Sequence, residues 1–263
     1  MGILNVTPDS FSDGNKYFHY EGALARAKEL ISQGADIIDI GGESSRPGSK
    51  EINVEEEVNR VIPIVDGIRQ FSNIPISIDT RKSHVADRAI RAGANLINDI
   101  SALRYDPDMI SLLSENPNVG VILMHMQGEP TNMQLSPQYD DILYEICSFF
   151  EQQMDLCLSR GILRDRIIID PGIGFGKNLE HNLCILSNLK TFQTLSVPIL
   201  LGASRKSFIN DILHSTPINR IAGSLAAAYE AYKTGVNIIR VHDVMEHVQF
   251  FEVLMCINDR HSE

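Results

Sequence analysis

Two kinds of apolar pattern alternate along this chain. Short, nearly continuous runs rich in Ile, Val and Leu fall at residues 1–6, 36–40, 76–80, 96–100, 119–124, 167–170, 197–201 and 238–241. Runs of that length and composition suit strands covered on both faces, as in a parallel sheet. Between them, apolar residues recur at helical spacing over residues 21–33, 54–70, 82–92, 106–115, 139–160, 179–189, 219–233 and 244–257. Pro63 falls inside the second helical stretch and predicts a kink there. Three of the helices stop at a glycine, Gly34, Gly93 and Gly235, and each glycine is followed at one offset by a polar residue, Asp36, Asn95 and Asn237. That echo is the mark of repeated strand-helix units. Eight strands alternating with helices in 263 residues predict an α/β fold, an eight-fold parallel (β/α)8 barrel. A doubly wound sheet fits less well, because its Gly-x-Gly-x-x-Gly turn is missing after the first strand.

Composition narrows the class without changing this outline. No shift in apolar or charged content divides the chain, so residues 1–263 read as one domain. Lys and Arg number 23 against 34 Asp and Glu, a net of −11, which argues against gripping nucleic acid or an anionic membrane; any anion site must be local. Cys147, Cys157, Cys184 and Cys256 show neither CxxC nor finger-like spacing, which fits a reducing cytosol. No apolar run is long enough to span a membrane and no basic-then-apolar leader is seen, so a cytoplasmic protein is expected.

The chemistry gathers where the strands end. In a (β/α)8 barrel the carboxyl ends of the strands converge on one mouth. Here they carry Asn5, Asp39 with Arg46 beyond it, Asp79, Asn98, His125, Asp170, Lys206, and Arg240 with His242. The sixth end is the most informative: Ile167-Ile168-Ile169-Asp170 meets Pro171, which cannot donate to a ladder, and then Gly172, Gly174 and Gly176 with Phe175 and Lys177 between and after them. A buried unpaired charge costs several kcal/mol, so this polar ring implies a ligand or a mutual network. Asp79, Asn98 and Asp170 suit a flat heterocycle with N–H donors, because a carboxylate can accept two parallel bonds from an amidine-like edge. Arg46, Lys206, Arg240 and His242 read as cations for anionic groups. Asp39 reads instead as a structural acid paired with a neighbouring cation. His125 stands evenly between an ordinary hydrogen-bonded histidine and a site residue. Lys177 reads, more than Lys206, as a solvated cation at a helix start, and His242 with His247 lacks a zinc spacing.

These residues carry a family resemblance. Met1-Gly2-Ile3-Leu4-Asn5-Val6-Thr7-Pro8-Asp9-Ser10-Phe11-Ser12-Asp13-Gly14 resembles the opening signature of bacterial dihydropteroate synthases. In the same order follow Asp39-Ile40-Gly41-Gly42-Glu43-Ser44-Ser45-Arg46-Pro47-Gly48, Ile78-Asp79-Thr80, Ile97-Asn98-Asp99-Ile100, Met124-His125-Met126-Gln127-Gly128, Asp170-Pro171-Gly172 with Gly174-Phe175-Gly176-Lys177, Ser204-Arg205-Lys206-Ser207 and Arg240-Val241-His242-Asp243. The resemblance implies an eight-fold barrel that joins p-aminobenzoate to 6-hydroxymethyl-7,8-dihydropterin diphosphate and releases diphosphate. It implies that Asp79, Asn98, Asp170, Phe175 and Lys206 meet the pterin, with Asp79, Asp170 and Lys206 as catalytic groups. It implies Mg²⁺ at Asn5, diphosphate at Asn5, Arg240 and His242, and an aminobenzoate pocket of Phe11, Ser45, Arg46, Pro47 and Ser207.

Other expectations come with it. A homodimer is implied, as are residues ahead of Met1, so that this barrel is expected to belong to a longer chain, such as a fusion with another folate-pathway enzyme. Ser45 stands where the family usually has Thr, which keeps the hydroxyl and loses a methyl; Asn15 stands where it commonly has Gly, and Asn tolerates a left-handed backbone. Residues 7–17 and 44–53 are poor in apolar anchors and are expected to be mobile when the site is empty. The rival readings are a methyltetrahydrofolate methyltransferase, a non-catalytic pterin-binding homologue, and a Schiff-base aldolase using Lys206.

Overall fold

A computed structural model describes residues 1–7, 16–44 and 48–259, with only the backbone described for residues 16–19. Eight parallel strands alternate with helices: β1 (Gly2–Asn5), α1 (Lys16–Ser32), β2 (Ile38–Gly41), α2 (Val54–Arg69), β3 (Ile76–Asp79), α3 (Ser83–Arg91), β4 (Leu96–Asp99), α4 (Asp108–Glu115), β5 (Gly120–Met124), α5 (Ile142–Ser159), β6 (Ile167–Asp170), α6 (Leu179–Ser187), β7 (Leu200–Leu201), α7 (Ser207–Ile212), α8 (Ile221–Lys233), β8 (Ile238–Ile239) and α9 (Val244–Asp259). Strands β1 to β6 pair in sequence order, and β7 pairs with β8. Two parallel bridges, Gly2 with Val241 and Ile169 with Ile199, join these sheets on both sides. The Ile3 N–H donates to the Val241 carbonyl at 2.9 Å, and the Val241 N–H to that of Met1 at 2.9 Å, so the eight strands close into the expected barrel.

The period-two geometry of a strand sorts its side chains between two cores. Outward residues such as Ile38, Ile40, Ile76, Ile78, Ile97, Val121 and Leu123 pack with the helices in the main core. Inward residues Met1, Ile122 and Leu200, with Ile37, Leu96, Ile168 and Ile238 against them, form a separate apolar plug inside the barrel. Two residues further along their strands the inward positions change character, from Ile37 to Asp39, Leu96 to Asn98, Ile168 to Asp170 and Ile238 to Arg240. One end of the barrel is therefore filled with oil, and the other carries charge.

The helix-stopping glycines do what their spacing predicts. Gly34, Gly93 and Gly235 have φ of +95°, +107° and +72°. The residue after each returns its N–H five positions, Ala35 to Leu30, Ala94 to Ala89 and Val236 to Ala231, at 2.9–3.0 Å. This satisfies a carbonyl that the helix end would leave unpaired. The echoed polar residue then pins the neighbouring strand: Asn95 Oδ1 accepts the Ile76 N–H at 3.0 Å, and Asn237 Oδ1 that of Ile199 at 2.9 Å. The last two strands are shorter than their apolar runs suggest, α2 continues through Pro63, and the six-residue α7 lies in a stretch where the apolar pattern predicts no element.

Candidate active site at the barrel mouth

Alternation along the strands brings Asp79, Asn98, Asp170, Phe175, Lys206 and Arg240 around one slot, with Ile100, Met124, Gly172, Ile173 and Gly202 completing its wall. Arg240, from β8's end, is the central cation. Its Nε donates to Asp39 Oδ2 at 2.6 Å and its Nη2 to Asp79 Oδ2 at 2.8 Å. Asp39 is fully buried and plays the structural part expected of it, as the anchor that fixes the guanidinium plane. The Asn98 Nδ2 lies 3.4 Å from Asp39 Oδ2, which turns its amide oxygen away from that acid. Asp79 has one oxygen on Arg240; burial raises its carboxyl to about 7, against the opposing field of Arg240. Asp170 is also raised by burial, and its Oδ1 accepts the Gly172 N–H at 2.8 Å, leaving the other oxygen for a ligand.

On the far wall, Lys206 holds its ammonium 4.0 Å from the centroid of the Phe175 ring, a cation resting on a π face. Burial, with Arg240 adding repulsion, lowers this amine to about 8. The turn that aims Lys206 inward is made by Arg205, which sits at φ +59°. Arg205 is held there by its N–H on Ser224 Oγ at 2.9 Å and its Nε on Asp243 at 2.9 Å. Ser207 follows as the first residue of α7 and is exposed.

Two expectations are corrected. Lys177 is no solvated cation: it is 2% exposed, and its ammonium donates to the Phe175 carbonyl at 3.0 Å and meets His125 Nδ1 at 3.0 Å. His125, edge-on to Phe149, is held neutral, mainly by burial, at about 2, so its partner is Lys177 and not the slot. His242 was grouped with the cations, yet burial and the charges of Arg240 and Arg205 lower it to about 3. It is a neutral imidazole whose Nδ1 lies 3.1 Å from Ser204 Oγ, and that hydroxyl also accepts the His242 N–H at 3.2 Å. The hydroxyl proton is then directed at Nδ1, which leaves Nε2–H as a donor.

Glu43 and Ile52, in the described parts of the loop after β2, are better fastened than its lack of apolar residues suggests. Lys82 donates to the Ile52 carbonyl at 2.7 Å, to Glu57 at 2.8 Å and to Glu43 at 3.3 Å; Glu43 in turn accepts the Ile52 N–H at 2.8 Å. Arg81 lies over the Tyr105 ring at 4.2 Å and donates to Glu129 at 3.0 Å. Glu43, Arg81, Tyr105 and Glu129 border a second cavity that shares Asp79 and Ile100 with the slot. Sequence reasoning missed the network; its one local sign was the pair Arg81-Lys82 placed directly after the third strand end. Phe11, Ser45, Arg46 and Pro47, and the first loop from residue 8 to 15, lie outside the described residues.

A family profile described as "Pterin binding enzyme" matches residues 1–242. The chain is 46% identical over 254 residues to the dihydropteroate synthase of Escherichia coli strain K12, covering 97% of this chain and 89% of that relative. The chain belongs to the dihydropteroate synthases of the pterin-binding enzyme family. Solved structures of that family share its fold. The Yersinia pestis dihydropteroate synthase in complex with a sulfonamide drug superposes with a TM-score of 0.92 at 43% identity, covering 99% of this chain and 93% of that one. A Xanthomonas albilineans dihydropteroate synthase with 4-aminobenzoic acid gives a TM-score of 0.92 at 41% identity, covering 98% and 92%. The resemblance read from the motifs is thus borne out over nearly the whole chain, and the barrel with it. Among the described residues, no helix is long and apolar enough to cross a membrane.

Proposed function

We propose that this dihydropteroate synthase condenses p-aminobenzoate with 6-hydroxymethyl-7,8-dihydropterin diphosphate, yielding 7,8-dihydropteroate and diphosphate. The observation that carries the reading is the composition of the slot, where two carboxylates and an amide share one lining with a lysine, an arginine and a phenyl ring. The free oxygen of Asp170 accepts N–H donors from the aminopyrimidine edge, the Asn98 amide oxygen accepts another, and Lys206 donates to the ring's carbonyl or imine side. Phe175 supplies the apolar face. Arg240 and the neutral Nε2–H of His242 donate to the diphosphate.

Magnesium keeps much of its water shell and takes one or two protein oxygens beside those of a phosphate. Asn5 fits that demand: its amide oxygen ends β1 next to the Asp79 carboxylate, with Asn5 Oδ1 3.5 Å and Asp79 Oδ2 3.8 Å from the point where a Cβ on Gly41 would stand. Magnesium bound there through Asn5 would offset negative charge on the diphosphate.

The reaction is a dissociative substitution at the exocyclic methylene. The bond from carbon to the diphosphate oxygen breaks, its electron pair leaves on the diphosphate, and the ring nitrogens share the resulting positive charge. Asp79 does most here, because its ionised form is costly in the empty slot and is favoured once the ring is cationic. Arg240 holds that carboxylate in place and donates to the leaving group. The neutral amine of aminobenzoate, seated by Phe11, Ser45, Arg46, Pro47 and Ser207, attacks the methylene, and its surplus proton passes to solvent. No protein nucleophile takes part. Exposed Leu213, Ile218, Tyr229 and Tyr232 support a homodimer. The test of the function is net diphosphate release: it is expected only with both substrates and Mg²⁺ present, in step with dihydropteroate, and release indifferent to aminobenzoate would overturn the reading.

A further inference from the structure

Lys177 is a buried cation near the slot that the reaction does not use. Its ammonium lies beneath the glycine-rich loop, and its three bonds go to the Phe175 carbonyl at 3.0 Å, the His125 carbonyl at 3.3 Å and His125 Nδ1 at 3.0 Å. Among the described residues it forms no salt bridge. A buried ammonium without a paired acid costs several kcal/mol that an apolar side chain of the same length would not. Such a cost points to a task beyond holding the fold.

The loop that Lys177 supports is shaped by glycine conformations and by polar side chains, among them Asn182, whose Oδ1 accepts the Gly174 N–H at 2.8 Å. Gly172, Gly174 and Gly176 all have positive φ, at +70°, +80° and +63°. A Cβ on Gly172 would stand 2.0 Å from the His125 carbonyl oxygen, and one on Gly176 2.3 Å from that of Gln127. The loop therefore lies flat on the chain leaving β5. Three successive carbonyls are then capped by side chains: Gly174 by Gln134 Nε2 at 2.6 Å, Phe175 by Lys177, and Gly176 by the Tyr139 hydroxyl at 2.9 Å. The upper surface of the same loop carries the Phe175 ring on which Lys206 rests.

We infer that Lys177 is a positioning residue for the pterin slot, the centre of a brace with Tyr139 and Gln134 that sets the height of the Phe175 ring and, through it, of Lys206. This rests on the pterin reading of the slot. It assigns Lys177 no contact with the substrate, since the side chain is under the loop and outside the slot's lining.

The experiment is calorimetric titration with 6-hydroxymethyl-7,8-dihydropterin of the parent, Lys177→Met, Phe175→Leu, their double variant and Tyr139→Phe. KM for aminobenzoate is measured alongside at saturating pterin diphosphate. A lost bond from a charged donor predicts pterin binding about tenfold or more weaker in Lys177→Met. The aminobenzoate KM should stay within about threefold, since the bonds of Lys177 go to His125 and Phe175, neither of which is assigned to aminobenzoate. In the Phe175→Leu background the further loss on Lys177→Met should shrink to less than about threefold, because both changes act on one element. Parental pterin affinity in a folded Lys177→Met protein overturns the inference, as does an undiminished loss in the Phe175→Leu background. Should Lys177→Met fail to fold, Tyr139→Phe decides: weaker pterin binding at constant aminobenzoate KM supports the brace, and unchanged pterin binding rejects it. A parent that binds no pterin overturns the pterin reading and this inference together. A parent that binds while the variants match it overturns this inference alone.

Discussion

Asp79→Asn should make the protein more stable and less active, and the gain in stability should depend on pH. In the folded chain burial raises the Asp79 carboxyl from its ordinary 3.8 to about 7. The native state then holds a proton that the unfolded chain has already lost, so stability falls as pH rises from the lower value to the higher one. At about 1.4 kcal/mol per pK unit, the full cost of ionising Asp79 in place is roughly 4 kcal/mol above pH 7, shrinking to about half that near pH 5.5. An amide carries no such cost at any pH, and its oxygen can still accept from Arg240, which keeps its partner Asp39. Urea unfolding at pH 8 should give Asp79→Asn a higher midpoint than the parent at unchanged slope, with a smaller difference at pH 5.5. Turnover should fall by more than pterin affinity does, because the lost charge matters most when the ring is cationic. A variant less stable than the parent at pH 8, or a gain that does not change with pH, would refute the reasoning.

Other substitutions separate the roles further. Asp170→Asn should abolish pterin binding while the fold stays intact: the Gly172 N–H keeps the amide oxygen, so the NH₂ faces the ring's donors, a mismatch of roughly 1–3 kcal/mol per pair that calorimetry would register. Arg240→Met should destabilise by about 3–5 kcal/mol, since fully buried Asp39 is left without a cation, and adding Asp39→Asn should restore part of that in denaturant titrations. Aminobenzoate should bind measurably only with Mg²⁺ and diphosphate present, and Arg46→Ala or Phe11→Ala should weaken it far more than pterin; equal affinity with and without Mg²⁺ and diphosphate would mean a preformed pocket.

The barrel was legible because several of its units announce both ends. Glycines at positive φ stop the helices, and polar residues break the apolar runs where the strands leave the sheet. That Asp79, Asn98 and Asp170 meet at one slot was legible for the same reason: a polar side chain on the inward face of a strand end has nowhere to go but the mouth. What could not be read were relations between distant segments. Lys177 after a glycine looks like a helix start, and its partner beneath the loop is His125, 52 residues away. His242 looks like a cation until its burial, with the charges of Arg240 and Arg205, is seen to keep it neutral. Loop anchoring was judged from apolar residues, whereas residues 48–53 are tied by charge: Lys82 reaches the Ile52 carbonyl and Tyr105 reaches Glu51. Asp39 was read correctly as one half of an ion pair, but its partner, 201 residues on, was assigned only to phosphate.

The central claim is that the charges at the barrel mouth drive departure of diphosphate from the pterin before the amine attacks, and positional isotope exchange tests it most directly. Dihydropterin diphosphate labelled with ¹⁸O in the bridge to the methylene is held with enzyme and Mg²⁺ in the absence of aminobenzoate. The account predicts that the label scrambles into the non-bridging oxygens of the adjacent phosphate, at a rate strongly reduced in Asp79→Asn. Label that stays in the bridge until aminobenzoate is added, in an enzyme that turns over normally with both substrates, would contradict it.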